Sequence, residues 1–251
     1  MITKLLTKAR RLPSLSLNGA ARRACLTVAL LASVAGAHAD IVGAEYGAPT
    51  DRYPHAVLGD DIEFGTLTLE RRNADAIRFT LPKSRVFEDV APRLFDLDGD
   101  GDMEVVVVES EAATGAQLAI YDETGKVAAT PHIGTRFSWL APIGAADLDG
   151  DGFVEIAYID RPHLAKTLRV WRFKDGDLEP VASLPGLTNH RIGERDIGGG
   201  LRDCGAGPEM ITASANWQKI MATRLVAGQL KTIEIGPHTG RASLRAALDC
   251  K

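Results

Sequence analysis

The feature that most constrains this chain is an acidic nine-residue segment that occurs twice, 51 positions apart. The first copy reads Asp-Leu-Asp-Gly-Asp-Gly-Asp-Met-Glu over residues 96–104, and the second reads Asp-Leu-Asp-Gly-Asp-Gly-Phe-Val-Glu over residues 147–155. Both place carboxylates at positions 1, 3, 5 and 9, and a glycine at position 6 where a tight turn needs one. Calcium binds roughly six to eight oxygens, and a loop of this kind supplies most of them. The repeat therefore predicts metal sites within a fold built from repeated units.

Each acidic segment leads into a short apolar stretch and then into a hairpin. Residues 104–108 and 155–159 are rich in Val and Ile and follow Gly and Asp, which is typical of buried strands. The hairpins turn at 122–125 and 174–177, where glycine permits the positive φ of a tight turn. Similar hairpins at 66–79 and 220–233 raise the number of units to four.

Four units of about 50 residues, each a loop with about four short strands, predict an all-β fold, a small β-propeller of about four blades. The signal-free chain at 40–251 divides into units at about 45–90, 91–140, 141–195 and 196–236, followed by a C-terminal tail at 237–251. An open sandwich of the same strands is the alternative. Helices are not expected, because no stretch after residue 40 sustains an apolar period of about 3.6 residues.

Residues 1–39 have the pattern of a cleavable secretory signal peptide. Six Lys and Arg and no acid precede an apolar run at 26–37, which ends in Ala37-His38-Ala39. The run is shorter than the roughly 20 residues that span a bilayer. A buried helix is the alternative, and Arg22-Arg23 leaves both general and twin-arginine export open. We therefore expect a periplasmic or extracellular protein without integral membrane association.

Removal of that segment makes the chain acidic. Of the 29 Lys and Arg, 23 are left against 33 Asp and Glu, which gives a net charge of −10. An acidic chain without a basic cluster disfavours nucleic acid as a partner. We expect a monomer whose partner is an unidentified protein or glycan.

Two cysteines are left after cleavage, Cys204 and Cys250, and an oxidising compartment favours a disulfide between them. The alternative is two separate thiols. In the fourth unit, alignment of Glu209 with position 9 places Leu201 and Gly205 at positions 1 and 5, so two carboxylates are missing. We expect the disulfide to take the place of the lost ion there.

The strands behind the loops separate them from other calcium motifs. An EF-hand needs a bidentate glutamate at position 12, where this chain has Val107 and Tyr158, and helices on both sides. Dockerin repeats also need a following helix, and type 3 thrombospondin repeats are far richer in cysteine. A loop that ends at position 9 and leads directly into a strand resembles the FG-GAP/VCBS repeats of integrin-α-like β-propellers. The resemblance is carried by residues 91–108 and 141–159.

The resemblance implies about two structural Ca²⁺ ions with Kd values of roughly 10⁻⁴–10⁻³ M, as in extracellular modules. The implied ligands are the side chains of Asp96, Asp98, Asp100 and Glu104 with the carbonyl of Asp102, and the side chains of Asp147, Asp149, Asp151 and Glu155 with the carbonyl of Phe153. Two departures are the glutamate at position 9, where family loops often have Asp, and about four blades in place of seven. Solvated turns without metal are the alternative, but four carboxylates within nine residues repel each other without a cation.

No nucleophile elbow, phosphate-binding loop or His-Glu-x-x-His motif is present. The loops of a propeller converge at one face, so their polar and aromatic residues are predicted to line a pocket for an anionic or sugar-like ligand. These residues are Arg136, Trp139, Arg161, His163, His190, Arg191 and Trp217. The alternative is that the tryptophans pack between blades and the histidines cap turns.

We expect a non-catalytic, calcium-stabilised binding module. The other function that the sequence leaves open is a small periplasmic carbohydrate-active enzyme with a pocket near His163 and His190.

Overall fold

The computed structural model describes residues 40–251, so the predicted signal peptide at 1–39 lies outside the described residues. Within 40–251 the regular secondary structure consists of antiparallel strands and one short helix. The prediction of an all-β fold is therefore confirmed.

The strands follow one another as four antiparallel units. The first unit contains β1 (Ile41–Thr50), β2 (Glu63–Arg71), β3 (Ala74–Thr80) and β4 (Arg85–Phe87). The second contains β5 (Arg93–Phe95), β6 (Glu104–Glu111), β7 (Gly115–Asp122) and β8 (Gly125–Ala129). The third contains β9 (Leu140–Ala146), β10 (Val154–Asp160), β11 (Thr167–Lys174) and β12 (Asp177–Pro185). The fourth contains β13 (Leu187–Thr188), β14 (Gly200–Asp203), β15 (Pro208–Ser214), β16 (Lys219–Val226) and β17 (Gln229–Pro237).

The short strand β4 joins the first two units into one eight-stranded sheet, because it pairs with both β2 and β6. The third unit is a separate sheet in the order β12-β11-β10-β9. The fourth is a five-stranded sheet in which β13 and β14 both pair with β15. The repeat pattern does not predict that the first two units form one sheet, because the strand that joins them, β4, has only three residues.

Successive units are held together by buried apolar clusters, and β6 shows how one strand serves two of them. Val105 and Val107 face a cluster with Leu67 of the first unit, whereas Val106 and Val108 face a cluster with Ile156 of the third. Each fully buried side chain of this size contributes about 1.5–3 kcal/mol. A further cluster joins the third and fourth units through the side chains of β10, β11 and β15. This stacking of small antiparallel units gives the fold its β-propeller character.

A short helix, α1 (Arg241–Leu248), covers the far face of the fourth unit. Its Leu244 and Ala247 pack on Ile211 and Ile220. The expectation that the chain after residue 40 contains no helix is therefore wrong in the C-terminal tail. The helix has only eight residues, no side-chain cap and no acidic residue in its first turn, so the usual sequence signals for a helix are missing.

The disulfide between Cys204 and Cys250 is present, with the two Cα atoms 5.9 Å apart. It follows α1 directly and fixes the end of the chain to the loop after β14. The prediction of a disulfide-tied C-terminal tail is confirmed.

Loops connect the first and fourth units. The amide of Gly193 donates to the carbonyl of Val57 at 3.0 Å, and Arg195 lies 4.0 Å from Asp60. Within residues 40–251 the strands of these two units share no buried cluster. Loop contacts therefore join these two units, whereas α1 packs on the fourth unit.

Candidate metal loops and ligand cavity

The first acidic loop, residues 96–104, connects β5 to β6 and is held open by its own backbone amides. The amide of Gly99 donates to Asp96 Oδ1 at 2.8 Å, and the amide of Leu97 donates to Glu104 Oε2 at 2.7 Å. Asp98 accepts from the amide of Asp100 in the same way. One carboxylate oxygen each of Asp96, Asp98 and Glu104 lies within 4.8 Å of the others. These bonds point three carboxylates toward one centre.

The second loop, residues 147–155, connects β9 to β10 and repeats two of the hydrogen bonds of the first loop. The amides of Gly150 and Leu148 donate to Asp147 and Glu155 at 2.7 and 2.8 Å. Carboxylate oxygens of Asp147, Asp149 and Glu155 again lie within 4.8 Å of one another. Asp149 Oδ1 is buried and has no hydrogen-bond partner. An unpartnered buried acceptor is costly, and a cation would satisfy it.

The remaining predicted ligands lie at the edges of these two sets of three carboxylates. Asp100 Oδ1 accepts from the amide of Asp102, and Asp151 Oδ1 accepts from the amide of Phe153. Neither Asp100 nor Asp151 belongs to the sets of three among the described residues. The ring of Phe153 lies under Lys174, whose Nζ is 4.8 Å from the ring centroid.

Electrostatics favour a cation in the first loop. The pKa of Glu104 is raised to about 7, chiefly by burial and also by the negative charges of Asp98, Asp100 and Asp96, while the hydrogen bond from the amide of Leu97 opposes the rise. Carboxylates that share a site resist ionisation together unless positive charge is supplied. The oxygen donors therefore fit a hard divalent ion such as calcium.

The second loop differs because Arg172 of β11 reaches into it. Its Nε donates to Glu155 Oε1 at 2.6 Å, its Nη2 donates to Asp149 Oδ2 at 2.8 Å, and its Nη1 lies 2.8 Å from Asp151 Oδ2. Burial raises the pKa of Glu155, and the hydrogen bond from Arg172 opposes that rise. Sequence reasoning missed Arg172 as a part of this loop.

In the fourth unit, arginine side chains supply positive charge beside the loop. Glu209 pairs with Arg202 and Arg224, each at 2.8 Å. Burial acts to raise the pKa of Glu209, but hydrogen bonds from the two arginines outweigh burial and lower it. The loop also carries Cys204 of the disulfide. Its single glutamate is thus neutralised by protein groups.

Four of the predicted ligand-binding residues lie together at a cavity of about 210 Å³. Trp139, Arg161 and His163 line it, and His190 lies directly beneath, with its Nδ1 3.0 Å from His163 Nε2. The Trp139 indole stacks on His163 at 6.3 Å and meets His190 edge-on at 4.8 Å. The rest of the lining, which sequence reasoning missed, consists of His55, Phe137, Leu164 and Ile192.

The other predicted ligand-binding residues lie elsewhere. Arg136 is exposed and covers the ring of Phe137 at 4.6 Å, next to the cavity. Arg191 lies 4.4 Å above the ring of Trp217, and both line a separate small cavity of about 70 Å³ beside α1. A larger cleft of about 610 Å³ between the second and third units shares Arg161 with the histidine cavity.

Charges around the histidine cavity are largely paired. Arg161 binds Asp160 at 2.7 Å, and His55 Nδ1 lies 2.5 Å from Glu88 Oε1, a carboxylate that is fully buried and also accepts from the hydroxyl of Ser110. Burial and the neighbouring His190 lower the pKa of His163 to about 4, and burial lowers the pKa of His190. The two imidazoles are therefore neutral at pH 7, and the cavity presents ring faces and hydrogen-bonding atoms.

Within residues 40–251, no helix combines the length and apolar character needed to cross a bilayer.

No curated protein matches the chain. Residues 96–158, which run from the start of the first acidic loop through the second and into β10, match the model of the FG-GAP-like repeat. The resemblance seen in the two acidic loops is thereby confirmed for residues 96–158, which form an FG-GAP-like repeat within a fold built almost only of strands.

Proposed function

We propose that this chain is an exported, calcium-stabilised β-propeller that binds a ligand without transforming it. The observation that carries the binding role is the convergence of Trp139, His163 and Phe137 on one cavity with an exposed apolar rim. Concave sites lined by ring systems with a few polar atoms are the usual form of ligand pockets. Export is supported by the disulfide, which persists in oxidising compartments.

The cavity favours a glycan among the possible ligands. His55 stacks on Phe137 at 4.9 Å, and the neutral imidazole of His163 supplies a hydrogen-bonding atom without a net charge. Flat ring faces with adjacent hydrogen-bonding atoms suit a sugar ring. Leu164 and Ile192, which are 79 % and 70 % exposed, extend the apolar rim.

A glycan array followed by calorimetry tests this role. Leu164→Ser on the rim should weaken binding of any hit at least tenfold. Ile233→Ser provides the matched control, because Ile233 is also an exposed aliphatic residue, 61 % exposed, but lies on β17 away from the cavity. Equal affinities for the two variants would contradict the placement of the ligand.

A carbohydrate-active enzyme is the second candidate, and one observation favours it. His55 lines the cavity while its Nδ1 contacts the buried Glu88, which is the arrangement of an oriented general base. Turnover assays on the hits of the glycan screen separate the two functions. Product formation that is lost in His55→Gln would favour the enzyme.

The structural role of calcium is tested by thermal denaturation with and without chelator. Free calcium at about ten times Kd stabilises by roughly 1.4 kcal/mol per site, so the melting temperature should fall in chelator. Asp98→Asn should reduce that difference, whereas Asp51→Asn, at an exposed position outside the acidic loops, should preserve it. An unchanged melting temperature in chelator would reject the calcium role.

Export is tested separately by fractionation and amino-terminal sequencing of the protein from the native host. The mature chain should begin at Asp40 and be found outside the cytoplasm. An unprocessed chain in the cytoplasm would reject it.

A further inference from the structure

We propose that Arg172 occupies the cation position of the second acidic loop, so that the chain binds one calcium ion, in the loop at 96–104, and not two. This inference rests on the proposed role of calcium.

The guanidinium of Arg172 makes the contacts that a cation would make. Its three nitrogens each contact a different carboxylate, those of Glu155, Asp149 and Asp151, at distances of 2.6 to 2.8 Å. The side chain is only 20 % exposed, and the carboxylate of Glu155 is fully buried. Arginine stays protonated at any physiological pH, so this positive charge is permanent.

Strand register explains why the first loop lacks such a group. Arg172 lies opposite Glu155 on the β10–β11 ladder. On the β6–β7 ladder Val105 pairs with Tyr121, so the residue opposite Glu104 is Asp122. Asp122 is itself an acid, and its carboxylate accepts from the amides of Thr124 and Gly125 in the hairpin turn. Among residues 40–251, no Lys or Arg forms an ion pair with Asp96, Asp98, Asp100 or Glu104.

The fourth unit supports the same interpretation. Met210 pairs with Thr223, so the residue opposite Glu209 is Arg224, and Arg224 Nε donates to Glu209 Oε1 at 2.8 Å. Two of three equivalent ladder positions therefore carry an arginine that contacts the glutamate at loop position 9. The second unit has an acid, Asp122, at this ladder position, and its loop at 96–104 is the one that needs a cation from solution.

Calcium can enter the second loop only by displacing Arg172 from two charge-assisted hydrogen bonds and a further ion pair. It would then place two positive charges beside a guanidinium that has lost its partners, which is unfavourable at this distance. The unpartnered Asp149 Oδ1 shows that Arg172 does not satisfy every acceptor. Removal of the guanidinium should therefore expose a nearly complete set of oxygen ligands.

Calcium stoichiometry, measured by calorimetry and native mass spectrometry, tests the proposal. The unmodified chain should bind one ion, and Arg172→Gln should bind two, with its second Kd at least tenfold below that of the unmodified loop. Lys174→Gln is the matched control: it removes the same charge from the same strand, but Lys174 contacts the ring of Phe153 and no loop carboxylate. It should retain one ion.

A second pair of variants keeps the test decisive if Arg172→Gln does not fold. Asp98→Asn and Asp149→Asn alter the same position in each loop; the first should reduce the stoichiometry from one to zero, and the second should leave it at one. Two ions of similar affinity in the unmodified chain would overturn the assignment of Arg172 while supporting the calcium role. No bound ion in any variant would overturn the calcium role itself.

Discussion

His163 Nε2 lies 3.0 Å from His190 Nδ1, and His190 Nε2 lies 2.8 Å from the carbonyl oxygen of Glu194. A carbonyl only accepts hydrogen bonds, so His190 carries its hydrogen on Nε2. In the neutral ring, Nδ1 of His190 then accepts from Nε2–H of His163. A proton added to His190 would place two N–H groups against each other. The hydrogen-bond chain thus requires a neutral His190, in agreement with the lowered pKa of that residue.

Stability should fall in mild acid because His163 takes up a proton more readily in the unfolded chain than in the folded chain. Its pKa is about 4 in the folded chain and about 6.5 when unfolded, so the unfolded state binds the additional proton between these values. The free energy of unfolding contributed by this group is complete above pH 6.5 and is lost as the pH falls toward 4. In His163→Gln the decline over this range should be shallower. Urea denaturation between pH 7.5 and 4.5 measures it, and parallel curves for the two proteins would contradict the prediction.

Glu63 should make stability depend on pH in the opposite direction, with a loss of stability as the pH rises. It is 2 % exposed, and its pKa is raised to about 9 by burial and by the charges of Glu88, Asp60 and Asp89. The folded chain binds a proton that the unfolded chain releases above about pH 4.5, so stability falls as the pH rises from there to 9. Glu63→Gln should stabilise the chain at pH 8 by at least about 1.4 kcal/mol, the value of one pKa unit.

The control for this prediction is Glu45→Gln. Glu45 lies on the neighbouring strand β1 but is exposed, so its replacement should change stability by less than about 0.5 kcal/mol. Chemical denaturation at pH 5 and pH 8 compares the three proteins. A gain for Glu63→Gln that is the same at both pH values would show that the benefit comes from shape and not from the buried charge.

The parts of this structure that the sequence predicts are those encoded by neighbouring residues. Each acidic loop contains its own hydrogen-bond donors, and the strands behind the loops are continuous apolar runs, so the all-β fold and the three-carboxylate sets follow from local patterns. The role of Arg172 could also have been predicted from the sequence. Superposition of the two hairpins aligns Tyr121-Asp122 with Trp171-Arg172, and the change of charge at this position marks the loop that has an internal cation.

The remaining features depend on contacts between distant parts of the chain. Glu88 and His55 are 33 residues apart and meet only because β4 joins two units, which no local pattern indicates. Arg191 and Trp217 are of the same residue types as Arg161 and Trp139 in the cavity, but they stack on each other beside α1. Residue type alone does not show which loops converge.

The backbone at Gly199 should not tolerate a side chain. Its φ is 75°, and a Cβ atom there would lie 2.0 Å from the carbonyl oxygen of Ile211 on β15. Gly199→Ala should therefore separate β14 from β15 and lower the free energy of unfolding by more than about 2 kcal/mol. Gly205→Ala is the matched control, since Gly205 has a φ of 91° but open space around its Cβ position. Denaturation of both variants separates the clash from the cost of positive φ, and equal losses would contradict the clash.

The disulfide should hold α1 on the fourth unit. The bond closes a loop across 46 positions, which corresponds to about 4 kcal/mol in the chain-entropy model, and α1 covers Ile211 and Ile220. The double variant with Cys204→Ser and Cys250→Ser should be less stable by about 2–4 kcal/mol and should release the C-terminal segment early in limited proteolysis. Leu244→Ala with the disulfide intact should expose the same apolar face by loosening the helix, while the tail stays attached. If removal of the disulfide changes neither the free energy of unfolding nor the cleavage pattern, packing of α1 alone holds the tail, and the bond does not replace the missing ion of the fourth loop.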